Sequence, residues 1–141
     1  MDPLSLIATV AGVATAGVQI SMVLFEISNK IAHAPKEVAE IASEIASLST
    51  VLEHFRDILD EGIKKKLYRD RVISDTIDLL TRIAEIQSKI QRKTKGSGSW
   101  KFRVKWAFFS SAQAETTIAK LSSIKMTLHL MLSTMQLALL S

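Results

Sequence analysis

The sequence predicts an all-α fold, an antiparallel bundle of four to five helices with a long apolar N-terminal helix. Three observations carry this. Apolar residues recur three and four apart through the long central segments, the spacing of a helix face. Only five glycines and two prolines interrupt 141 residues, too few for a turn-rich β protein. The one aromatic-alternating stretch has no second strand to pair with. A chain of this length suits a single domain, 1–141, with a core that needs no staples. The absence of cysteine excludes a disulfide framework, a thiol nucleophile and any Cys-based zinc or iron–sulfur site.

The first helix is expected over about 3–31. Asp2 is a good N-cap and Pro3 suits the first helical position. Residues 3–25 then carry no charge, and the first charged side chain is Glu26. A helix of this length reaches roughly 40 Å, enough to cross a bilayer. No basic segment precedes the apolar run, so a secretory signal is not expected and a cytoplasmic protein is. The second helix, about 36–61, has the clearest amphipathic pattern. Val38, Ile41, Ile45, Leu48, Leu52, Phe55 and Leu59 form one seam, while Glu37, Glu40, Glu44, Glu53 and Asp57 fall on a solvated face. Gly62 is expected to end it. The third helix, about 68–92, has a stripe of Val72, Ile73, Ile77, Leu80, Ile83, Ala84 and Ile90. Residues 94–99 read as a flexible Gly/Ser linker, and 101–109 as a short helix. The last helix, about 112–140, sets Ile118, Leu121, Leu128, Leu132, Met135 and Leu139 on one face. The first and last helices are the least charged, so they are expected to form the dry centre of the bundle.

Familiar chemistries fall away in turn. Gly12 and Gly17 have phosphate-loop spacing, but Val18-Gln19 stands where Lys-Ser/Thr is required. His33, His54 and His129 make no i, i+4 pair, and no metal site or cofactor is expected. Glu40 and Glu44 lie opposite the apolar seam, and no Gly-x-Ser-x-Gly elbow occurs. The residues argue against an enzyme.

Two features remain. The first is the uncharged helix, with Leu4, Leu6, Ile7, Val10, Val13, Val18, Ile20, Val23, Leu24 and Phe25 spread around it. Ala8, Gly12 and Ala16 make a small-residue ridge, and Ser5, Thr9, Val13, Gly17 and Ser21 make a second row. Such a helix is either the buried centre of a soluble bundle or an element that also enters lipid. The second is a basic-aromatic stretch. Lys89, Arg92, Lys93, Lys95, Lys101, Arg103 and Lys105 contain no acid between them, and Trp100 and Trp106 are interleaved with phenylalanines. Residues 1–61 hold nine acids and three bases, whereas residues 62–141 hold five acids and fifteen bases. Anionic lipid suits this composition, through lysine attraction and interfacial tryptophan. The aromatics also suit a helix that plugs the bundle end. Nucleic acid, which such a segment can bind by stacking, ranks behind lipid and protein and is not the expected partner.

Met1-Asp2-Pro3-Leu4-Ser5 with Val10-Ala11-Gly12 and Ala16-Gly17-Val18 resembles the opening of the HeLo-like N-terminal domains of fungal STAND (NLR-like) receptors. Arg103-Val104-Lys105-Trp106 and Leu128-His129-Leu130-Met131-Leu132 are similar to that family's closing helices. The resemblance implies a non-enzymatic helical bundle at the N-terminus of a larger protein, acting in programmed cell death. It implies clustering by a sensor or receptor partner, self-association, and release of Leu4–Phe25 into the inner face of the plasma membrane. The basic-aromatic residues would hold anionic lipid. The alternative is a homotypic adaptor module without membrane activity. Gly96-Ser97-Gly98-Ser99 departs from the charged loop the family pattern implies.

Overall fold

The computed structural model describes residues 2–30, 36–94 and 111–140. They form four α-helices: α1 (Pro3–Lys30), α2 (Lys36–Lys64), α3 (Asp70–Thr94) and α4 (Ser111–Leu140). The fold is the all-α bundle that the spacing predicts. The expected linker beyond Thr94 and the short helix over 101–109 lie outside the described residues.

Local chemistry sets the helix ends. Asp2 caps α1 as its position predicts: Ser5 N donates to Asp2 Oδ1 at 2.9 Å and Ser5 Oγ to Asp2 Oδ2 at 2.8 Å. Gly62 does not end α2, which continues to Lys64. The reversal comes at Lys66, whose φ is 54°. Lys66 N donates to Ile63 O and Leu67 N to Gly62 O, each at 3.0 Å. Those two bonds make a Schellman motif with lysine in the left-handed position where glycine is usual. Gly62 serves packing instead, because a Cβ there would collide with the ring of Tyr68. The Tyr68 hydroxyl donates to Ile58 O at 3.3 Å and lies 3.5 Å from Met135 O, pinning the turn between α2 and α4.

The packing order differs from the expectation. α1 lies against α2 and α3, while α4 lies against α2 and, more lightly, α3. Among the described residues α1 and α4 do not touch, so the first and last helices are not the dry centre. α2 is. All seven residues of its predicted seam are buried, together with Ala42, Ser49 and Gly62. Each large one contributes about 1.5–3 kcal/mol by leaving water. α2 packs most heavily, with α1 on one side and α4 on the other.

Directions follow from pairs of contacts. Lys125 Nζ meets Glu44 Oε2 at 3.1 Å, and Gln136 Nε2 lies 3.2 Å from His54 Nε2, so α2 and α4 run parallel. Gln87 Nε2 donates to Val13 O at 3.2 Å, and Gln91 and Thr94 flank a cleft with Ile20 and Val23, so α1 and α3 are also parallel. Direction therefore alternates along the chain, but the α2–α3 turn crosses the bundle diagonal. Glu44 is a correction as well. It is not on a solvated face: its ion pair with Lys125 bridges α2 and α4, and both side chains are only about a quarter exposed, at 26% and 23%.

Candidate functional site

α1 has two faces. Leu6, Val10, Ala14, Gly17, Ile20, Ser21 and Leu24 are buried, one side chain every three or four residues. Ile7 and Val13 are half-buried against the core. Leu4, Val18, Met22, Val23 and Phe25 are exposed. An apolar window within Pro3–Asn29 meets the length and hydropathy of a membrane span, and 33% of it is buried. About the same share of α2 is buried, ten of its 29 residues, so α1 differs not in depth but in carrying apolar side chains on its outer face. The helix predicted to enter lipid is thus half committed to the bundle and half open.

The small-residue ridge is placed differently from the expectation. Ala8 and Gly12 are exposed and Ala16 is half-buried. A Cβ on Gly12 would meet nothing within 4 Å, so that ridge packs no helix here. The second row holds the close approach. A Cβ on Gly17 would run into Ser49 Oγ and come within 2.9 Å of Gln87 Nε2. Ser49 Oγ is buried there without a hydrogen-bond partner.

Two hydroxyls in the apolar stretch of α1 are bonded within α1. Thr9 Oγ1 donates to Ser5 O and Ser21 Oγ to Val18 O, both at 2.8 Å. Back-bonding of this kind keeps hydroxyls paired when no water is near. These two bonds would persist wherever the helix went, whereas the Gln87–Val13 bond would not.

A cluster of cations sits at the end of the bundle where α1 and α3 finish and α4 starts. A cleft of about 350 Å³ is lined by Lys89, Lys93 and Lys120 with Gln113, Thr116 and Thr117, over Ile86 and Ile90. Among the described residues no carboxylate lines it. Two of the predicted lipid-binding residues, Lys89 and Lys93, are brought together here; Arg92 is exposed on the same helix. Lys95, Trp100, Lys101, Arg103, Lys105 and Trp106 lie outside the described residues. Lys120 was not predicted. It is 27 residues beyond Lys93, and only the antiparallel packing of α3 and α4 joins them.

On the other side of the last two turns of α3 is a second cleft, lined by Gln19, Ile20, Val23, Gln91 and Thr94. Exposed Val23 of α1 therefore stands beside the helix turn that holds Lys93. Apolar surface and positive charge share one end of the molecule. Among the described residues, no three His, Cys, Asp or Glu side chains gather as a metal site would require. No family model, curated protein or solved structure matches the chain.

Proposed function

We propose that this chain is a non-enzymatic effector domain that docks on anionic membranes through its basic bundle end and exchanges α1 between bundle and lipid. In this reading it is cytoplasmic at rest and acts at the inner membrane face after being clustered. The observation that carries the reading is the apolar outer face of α1, uncharged over residues 3–25, whose exposed Val23 lies across α3 from the cleft that Lys89, Lys93 and Lys120 line.

The energetics favour an exchange over a simple release. Freeing Leu6, Val10, Ile20 and Leu24 into water would cost roughly 6–12 kcal/mol, comparable to the whole stability of a small domain. Lipid would restore that burial and add Leu4, Val18, Met22, Val23 and Phe25, which the bundle leaves in water. The internally bonded Thr9 and Ser21 hydroxyls add no unpaired group on the way. The lysines would hold the domain at the surface long enough for the exchange, at about 1 kcal/mol each near anionic headgroups. The resemblance to HeLo-like domains of fungal STAND receptors supports the same reading and extends it to programmed cell death.

Vesicle flotation with and without anionic lipid tests the proposal. Binding is expected to anionic vesicles alone and to fall by at least about a hundredfold when Lys89, Lys93 and Lys120 are all changed to Glu. Dye leakage from the same vesicles should vanish when residues 3–25 are deleted. Equal binding of the parent and the charge-reversed variant, with both folded by circular dichroism, would refute the lysine end as the docking surface. Absent leakage even after forced clustering would refute the exchange of α1.

A further inference from the structure

The outer side of α4 carries an apolar row that the bundle does not use. Met126, Leu130, Leu137 and Leu140 are 65, 71, 68 and 84% exposed. With exposed Ser133 between them, they recur at intervals of four, three, four and three residues, the spacing of a helix seam that packs on another helix. The inner row of α4, including Leu121, Leu128, Leu132 and Met135, is already buried on the other side. From Met126 to Leu140 the helix contains no Asp, Glu, Lys or Arg.

We infer that this row is a self-association surface whose occupant is a second copy of the same chain, with the two α4 helices crossing antiparallel at Ser133. The row is nearly palindromic about that serine. An antiparallel pair sets Met126 against Leu140 of the second copy and Leu130 against Leu137, each apolar side chain meeting another. Ser133, the smallest member, lies at the crossing point, where a short side chain lets two helices approach closely. A twofold pair requires this self-complementarity, and a patch made for a different partner has no need of it.

Area and charge agree. The four exposed side chains present roughly 500 Å² per chain, so a pair buries on the order of 1,000 Å², the lower bound of a specific interface. Flanking Thr127, His129 and Thr134 are exposed and extend that area. An uncharged centre is typical of such interfaces, and it lets like meet like without repulsion. α1 lies across the bundle diagonal from α4, so the pairing leaves the open face of α1 free. It also sends the two lysine clefts to opposite ends of the dimer, so a flat bilayer meeting a bundle end engages one cleft at a time.

Pairing through α4 does not depend on lipid, and its test needs none. The chain has no cysteine, so Ser133→Cys introduces a single thiol at the proposed twofold axis. Oxidation in vesicle-free buffer at about 50 μM protein should cross-link Ser133→Cys at least tenfold faster than the exposed control Thr81→Cys. Sedimentation velocity should find a dimer in the parent chain and a monomer in Leu130→Glu and Leu137→Glu, with helix content unchanged. Cross-linking at equal rates, a parent chain monomeric at all concentrations, or glutamate variants that still dimerise would each overturn the inference. Anionic vesicle binding by Leu130→Glu should be undiminished. Loss of that binding from a parent chain that is monomeric in buffer would instead assign the row to lipid.

Discussion

Two glycines of one helix should respond in opposite ways to the same substitution. Both Gly12 and Gly17 lie within α1, so alanine at either gains about 1 kcal/mol in helix propensity. At Gly12 the new methyl meets nothing within 4 Å, and that gain should be realised as added stability. At Gly17 the methyl meets Ser49 Oγ and lies 2.9 Å from Gln87 Nε2. Ser49 must change rotamer and Gln87 must withdraw, giving up its 3.2 Å bond to Val13 O. Overpacking of this kind costs about 1–3 kcal/mol and the lost bond about 1 kcal/mol, so the net effect is destabilising by roughly 1–3 kcal/mol. The two variants should therefore differ by about 2–4 kcal/mol, which separates their urea midpoints by roughly 1–2 M for a domain of this size. Equilibrium urea unfolding followed by circular dichroism measures this directly. Adding Ser49→Ala to Gly17→Ala should restore at least half of the loss, because it removes the nearest obstacle. Coincident midpoints for Gly12→Ala and Gly17→Ala would refute the assignment of Gly17 as the helix contact.

Other expectations follow from the same packing. Ser49→Ala alone removes a buried hydroxyl that has no partner and should stabilise the fold by about 1 kcal/mol in the same urea assay. Gly62→Ala should destabilise by about 1–3 kcal/mol and loosen the turn, seen as faster amide exchange at Leu67 and Tyr68, because the ring of Tyr68 must leave. A double-mutant cycle on Glu44 and Lys125 should return a coupling of about 0.5–1 kcal/mol that shrinks in high salt, since both side chains keep some solvent. The Asp2 carboxyl is held below its ordinary value, chiefly by the Ser5 amide and then by the Ser5 hydroxyl. A depressed carboxylate stabilises at pH above its ordinary value and loses that effect as pH falls through the lowered one. The first turn of α1 should accordingly fray below about pH 4, read by amide exchange at Ser5 and Leu6, and Asp2→Asn should flatten the dependence.

The sequence was most legible where charge and apolar spacing oppose each other. Every residue of the Val38–Leu59 seam is buried because acids on the other faces leave the helix one way to turn. α1 and α4 lack that opposition. Apolar residues lie all round them, so spacing alone did not say which row faced the core or that the other stayed in water. Gly12 and Gly17 illustrate the difference. They are alike in composition, but only Gly17 shares a helical row with Leu6, Val10, Ala14 and Leu24. The site was half readable for a similar reason. Lys89 and Lys93 are neighbours on one helix and were found together, while Lys120 joins them only through tertiary packing. The place of α2 at the centre was not readable, because it depends on a turn that crosses the bundle diagonal.

That crossing turn has a kinetic side. α2 pairs early with α1, its neighbour in sequence, but its second partner is α4, and the contacts joining them span 78 to 82 residues. Loop closure of that length is slow relative to hairpin formation, so docking of α4 is expected to be the late step in folding. During synthesis at about 5–20 residues per second, the face of α2 that α4 covers waits several seconds after Lys64 emerges. A nascent chain in that interval displays apolar surface on a formed helix hairpin. The window is fixed by helix order alone, and it is the period in which a chaperone, a membrane or a second nascent copy competes with α4 for the same face.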